Sequence, residues 1–287
     1  MKPALPRARR RLRLTRFVAG SLVALAVGVH ADEVPEQSDL PLWELGLGAG
    51  GISQLAYPGA DEQVDRVAVL PYVVYRGRVL RADGDGAGLR TIRTERFELD
   101  VSFAGSLSAG EDELQAREGM ARLRTLVEVG PVARWYLNGR DATHRVTFEL
   151  PLRGVFELRD LSRHRGMTLE PELNLDRRVR GGWRYGLSIG AVIGDERLAS
   201  TFYTVSATEA RPDRPAYDAR AGLIAWRLGG RVFRQLTPDL RMFAFGRLES
   251  AAGAANRDSP LVRRSAGVSA GIGLVYSLGR SAARGVE

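Results

Sequence analysis

Three short patterns in the sequence carry residue types used in known chemistries. Gly46-Leu47-Gly48-Ala49-Gly50-Gly51 has the G-x-G-x-x-G spacing that lets a backbone approach a pyrophosphate. Gly186-Leu187-Ser188-Ile189-Gly190 and Gly267-Val268-Ser269-Ala270-Gly271 have the G-x-S-x-G spacing of a nucleophile elbow. His144 and His164 are the histidines that could serve such a serine once the N-terminal segment with His30 is set aside. Each chemistry demands its own scaffold. The dinucleotide fingerprint needs a strand before it and a helix after it, and the elbow needs a strained strand-to-helix turn. Here the glycines lie inside a strand-like run, as small residues on one face, and both serines fall mid-alternation beside their glycines. His144 falls at an expected short turn and His164 in an expected long loop, at opposite ends of a sheet. Neither has metal-ligand spacing to a partner. The chain has no Cys, which excludes a thiolate metal site, a cysteine nucleophile and a disulfide framework. The expectation is therefore no enzyme, and no catalytic, cofactor-binding or metal site.

The remaining chemical candidates are charged. Glu98, Asp100, Arg134, Arg145, Glu149, Arg153, Glu170, Glu172, Arg184, Arg227, Arg231, Arg241 and Arg247 share one face of alternating runs. They could line a solute path, or they could form the cross-paired, hydrated interior that a membrane barrel needs, because charge facing lipid costs about 2–4 kcal/mol near the midplane.

The elements that position them are strands. In Phe97–Leu107 every odd residue except Gly105 is apolar, and the even ones are polar or small. The same period of two recurs along Arg145–Arg153, Met167–Leu175, Trp183–Ile193 and Ala266–Leu278. These runs exceed the common soluble-strand length of about 5–6 residues and match what a tilted strand needs to cross a bilayer. An open sheet edge cannot be satisfied in hydrocarbon, so such a sheet must close on itself. The expected fold is all-β: a closed antiparallel transmembrane barrel of about twelve strands spanning 43–279, with periplasmic termini. The expected strands are 43–54, 64–76, 78–83, 87–94, 96–108, 123–138, 143–156, 167–177, 183–194, 220–236, 240–251 and 263–279. The even-numbered connections are then short. Most odd ones are longer (Tyr57–Gln63, Ser108–Arg122, Glu157–Gly166, Glu196–Tyr217 and Ala252–Leu261), with Ser108–Arg122 and Glu196–Tyr217 expected as solvated external loops and His164 in an outer loop; the short hairpin Gly84–Gly86 is the exception. Trp43, Tyr75, Phe97, Trp135, Trp183, Tyr185 and Tyr276 all fall at the short-turn rim, as an interfacial aromatic girdle would.

The net charge of +8 invites a nucleic-acid reading until it is located. Seven of the 42 Lys and Arg residues lie in the first sixteen positions, ahead of the apolar run Phe17–Val29 and the small-x-small site Val29-His30-Ala31. That order predicts an export signal over 1–31, followed by a short lead over 32–42. Without it, 35 basic residues face 34 acidic ones, and no nucleic-acid partner is expected.

Several segments resemble one family. They are Trp43–Gly50 running into Tyr57-Pro58-Gly59-Ala60-Asp61-Glu62, then Leu70-Pro71-Tyr72, Leu126–Tyr136, Pro215–Leu223 and Asp258-Ser259-Pro260-Leu261-Val262. In order and spacing these are similar to the MipA/OmpV outer-membrane proteins, over about Trp43–Leu278. The resemblance implies a barrel in the cell outer membrane, contacting its lipid. For some members it implies a scaffold between a periplasmic murein transglycosylase and a murein synthase; for others it implies roles in adhesion or permeability. It transfers no catalytic residue. Where such barrels commonly end on an aromatic, this chain has Tyr276-Ser277-Leu278 and then a polar tail, expected over 280–287. The leading expectation is a non-enzymatic scaffold. The alternative is a narrow pore for small polar solutes, and a hydrolase built on Ser188 or Ser269 comes last.

Overall fold

A computed structural model of the chain describes residues 41–76, 80–83, 86–105, 114–140 and 142–285. The expected export segment 1–31 and nearly all of the lead lie outside the described residues, as do 84 and 85 of the short hairpin. The described chain is all-β with one short helix. Its strands are β1 (Trp43–Leu55), β2 (Gln63–Arg76), β3 (Leu80–Asp83), β4 (Gly86–Arg93), β5 (Phe97–Ala104), β6 (Leu126–Tyr136), β7 (His144–Glu157), β8 (Asp160–Leu169), β9 (Glu172–Val179), β10 (Trp183–Gly194), β11 (Gly222–Gln235), β12 (Leu240–Ser250) and β13 (Ala266–Arg280). Helix α1 (Glu196–Tyr203) follows β10.

All thirteen strands belong to one antiparallel sheet. Sequential neighbours pair throughout most of it, β10 pairs β11, and β13 pairs β1 over ten residue pairs. The hydrogen-bonded neighbours of β1 therefore lead around the sheet and back to β1. Among the described residues, β2 and β3 are in register at two residue pairs.

The expected twelve strands become thirteen because one position in the wall is shared. The run expected as a single strand, 167–177, is divided at Pro171, which has no N–H to give a ladder. β8 and β9 lie on either side of it, and both pair with β7 and with β10. Backbone bonds bridge the break, Glu170 N–H to Pro151 O at 3.0 Å and Ala191 N–H to Pro171 O at 3.0 Å. The segment Glu157–Gly166 is likewise strand and tight turn where a loop was expected, with 159–163 exposed. It extends the β7–β8 hairpin beyond the rest of the wall, with Glu157 in register with Asp160.

Burial follows the period of two. The face carrying Leu47, Leu187, Ile189, Leu228, Val268 and Ile272 is exposed, each of these being roughly half accessible or more. The opposite face buries Glu98, Asp100, Glu128, Arg134, Thr168, Asn174, Arg184 and Arg241. A water-soluble sheet does the reverse. Glycine permits close strand contact: a Cβ on Gly50 would meet Ile272 O of β13 at 2.8 Å. The glycines of the apparent dinucleotide fingerprint thus serve strand packing within β1, with no helix after them. The short-turn rim gathers the expected aromatics: Trp43 is in register with Tyr75, Phe97 lies 5.3 Å from Trp135, and Trp183 stacks on Tyr185 at 5.9 Å. Among the described residues, no helix is long and apolar enough to cross a membrane, which has no bearing on strands.

Candidate functional site

The structure does not bring the candidate catalytic residues together. Ser188 sits mid-β10, in register with Asn174 and Gly229. Ser269, on β13, is buried and accepts the Leu55 N–H at 3.3 Å. His144 begins β7 at the short-turn end and is exposed. His164 lies on β8 near the long-loop end, 5.2 Å from the Phe156 ring and 3.2 Å from Arg197. It is thus a packed strand residue, and the expectation of a solvated loop histidine fails there. Neither histidine bonds either serine among the described residues. No group of three or more His, Cys, Asp or Glu residues there could hold a metal ion.

What the alternation does assemble is an interior of ion pairs. Glu44 is held by Arg241, by Arg280 at 3.1 Å, by Arg76 at 3.5 Å and by the Ser277 hydroxyl at 2.7 Å. Arg134 reaches Asp100 at 2.8 Å and Glu149 at 3.5 Å, while Arg140 and the Tyr136 hydroxyl each bond Glu98 at 3.0 Å. Nearer the long loops, Arg227 joins Glu249 at 2.7 Å and Glu170 at 3.2 Å, and Arg153 joins the same Glu170 at 3.3 Å. Arg247 completes that group at 3.4 Å from Glu249. The thirteen residues expected on the inward face are therefore on it, and most cross-link neighbouring or next-nearest strands. A buried charge survives only when paired and hydrogen-bonded, because desolvating it alone costs several kcal/mol.

The long-loop end is closed in a way the alternation does not foretell. Glu196–Tyr217, expected as a solvated loop, instead contains α1 and buries Leu198, Ala199, Phe202, Tyr203 and Val205. Asp195 caps α1, accepting the Leu198 N–H at 2.9 Å. Gly166, at φ 121°, lies directly beneath this cap; a Cβ there would collide with Asp195 and Leu198. Tyr57, Ala60, Leu114, Leu123 and Leu261 come from three other loops into the same apolar cluster. Ser108–Arg122 is thus also corrected in part: Leu114 and Ala116 are buried, while 106–113 lie outside the described residues.

Polar atoms tie this cap together. The Tyr57 hydroxyl donates to Leu261 O at 2.7 Å, Tyr203 to Pro58 O at 2.9 Å, and Ser259 to Tyr203 O at 2.8 Å. Arg117 donates to Phe202 O at 2.9 Å, and Arg214 to Ala116 O at 3.1 Å and Glu118 O at 3.0 Å. Each bond satisfies a carbonyl that irregular chain would otherwise leave unpaired on burial. Burial pushes the Tyr57 hydroxyl up to about 12 and raises that of Tyr203 as well, so both stay protonated donors. The segments Tyr57–Glu62, Pro215–Leu223 and Asp258–Val262, which carried much of the family resemblance, all converge on this cap. A clue was present in the sequence: Leu198, Ala199, Phe202 and Tyr203 have helical spacing behind an Asp.

The model of the family described as MltA-interacting protein MipA matches residues 47–278. A solved structure, the COG4313 outer membrane channel from Pseudomonas putida F1, aligns over 86% of this chain and 100% of that chain, at 11% identity and a TM-score of 0.35. Comparison with curated proteins gives no match.

Proposed function

For a chain that belongs to the MltA-interacting protein MipA family, we propose an outer-membrane β-barrel that acts as a docking platform for murein-remodelling enzymes. Its short-turn end faces the periplasm and its capped end faces outward. The apolar outer face and the aromatic rim at Trp43, Trp135 and Trp183 support the lipid setting, since each places a side chain where a bilayer rewards it. The basic N-terminal segment and the apolar run behind it support export by a cleaved signal over 1–31. The family's description supports a periplasmic murein transglycosylase as one partner.

A single observation carries the platform over the pore: one end of the interior is covered by a packed apolar core with Phe202 and Leu261 at its centre. Solute flow would need that core to move, whereas docking on the short turns does not. Two measurements test the proposal. The detergent-solubilised chain should retain a purified murein transglycosylase, and failure to retain any murein enzyme from native envelope overturns the platform. In planar bilayers the intact chain should not conduct, while a chain shortened through 196–217 should. Steady conductance by the intact chain would establish the pore instead.

A further inference from the structure

We infer that the outer surface of the short-turn rim, across β7, β9, β10 and β11, is a binding site for the headgroup of an anionic phospholipid. At this rim the outward rows end on basic side chains. Arg177 follows Leu173 and Leu175 on β9, Arg234 follows Trp226 and Leu228 on β11, and His144 begins the outward row of β7. All three are exposed.

The pairing register draws them into one patch. His144 stands opposite Arg177, Arg177 opposite Tyr185, and Trp183 opposite Arg234. With neighbouring strands about 4.8 Å apart, the four strands make a patch roughly 15 Å wide. No Asp or Glu holds an outward position at this end of these strands. The carboxylate beside Arg177 in sequence, Asp176, is turned inward and engaged by Arg231 at 2.6 Å. Among the described residues, the side chains of Arg177 and of the exposed turn residue Arg180 have no hydrogen-bonding or ionic partner. The rest of the rim differs. Trp43 opposite Tyr75 and Phe97 opposite Trp135 are neutral pairs, and the nearby Arg76 and Arg280 are spent on Glu44.

The patch is also shaped for a phosphate. Arg234 lies over the Trp183 ring at 4.6 Å, and that ring stacks on Tyr185 at 5.9 Å. An aromatic face behind a guanidinium leaves its N–H edge free to take a phosphate two-pronged. A lipid-facing cation costs little only near the interface. The anion a bilayer offers at that depth is the lipid phosphate. Beyond the patch along the same strands, Leu173, Leu175, Leu187 and Ile189 are exposed and apolar, a surface for the acyl chains. The inference rests on the outer-membrane barrel proposed above.

The test uses the full chain folded in non-ionic detergent, with retained lipid counted by native mass spectrometry. Dioleoyl phosphatidylglycerol and dioleoyl phosphatidylcholine are added separately. Phosphatidylglycerol should bind about tenfold more tightly or better, since each basic residue at a membrane surface is worth about fivefold toward anionic lipid. Arg177→Gln combined with Arg234→Gln should erase the preference, and each single Gln variant should lose about fivefold. Arg177→Lys with Arg234→Lys keeps the charge and should keep most of the preference. Arg264→Gln, exposed at the long-loop end, should change nothing. The folded band on an unheated gel shows that each variant retains its barrel. Equal retention of the two lipids by the folded wild-type chain, or undiminished preference in the Gln pair, overturns the site alone. So does displacement of the lipid by inorganic phosphate, which would mark a site for the free ion. A chain that stays folded and monodisperse without detergent overturns the barrel, and this inference with it.

Discussion

The two ends of this sheet are finished by opposite means. At the long-loop end four segments bury Tyr57, Leu198, Phe202 and Leu261 among themselves, and a few hydroxyls and guanidiniums satisfy the backbone. At the short-turn end the described residues form no such apolar cluster; arginines crowd the interior of the mouth, and aromatics ring its outer face. One end is held by packing and excludes solvent. The other is held by charge. The wall is continuous between them, so a change that loosens one end need not loosen the other.

The largest break in that contrast should come from Phe202→Ala. Emptying a fully buried aromatic position costs about 3–5 kcal/mol. The loss should fall on the cap: proteolysis within 196–221 should accelerate, while the folded band on an unheated gel persists. Simultaneous loss of both would mean that cap and wall form one cooperative unit. Alkaline pH should come next. The Tyr57 hydroxyl ionises near 10 in an unfolded chain and near 12 in the cap, so its contribution is complete below pH 10 and lost as pH rises to 12. About 2–3 kcal/mol of cap stability should disappear over that window, read as tyrosinate absorbance appearing together with cap proteolysis. The smallest effect is that of Ser259→Ala, which leaves the buried Tyr203 carbonyl one donor short and should cost about 1–2 kcal/mol. Hydrogen exchange at α1 would detect it, and unchanged exchange would remove Ser259 from the set of residues holding the cap.

Most of the wall was legible in the sequence because strands between two different surroundings must alternate. Phe97-Glu98-Leu99-Asp100-Val101 states that contrast residue by residue, and the structure buries the second and fourth while turning the others out. The division at Pro171 was less legible, since apolar and polar positions keep their phase across it and only the missing N–H marks the break. The cap was misread for a different reason. Its loops are polar on average, and the apolar residues that meet there, such as Tyr57 and Leu261, come from segments too far apart to show a pattern. The mouth lay between these cases. Arg184 and Arg231 were expected on the inward face, but that Arg178 opposes Arg184 depends on the geometry of the turn at 180–182, which alternation does not encode.

The seam between β1 and β13 imposes an order of events on assembly. Glu44 and Ser277 meet across 233 residues of chain, so the first strand keeps one unpaired edge until the last strand has been delivered. Every shorter intermediate exposes two sticky borders at once, each able to recruit a foreign strand. Those borders are covered only when the final fifteen-residue strand arrives, so the chain is most open to foreign pairing just before its last step.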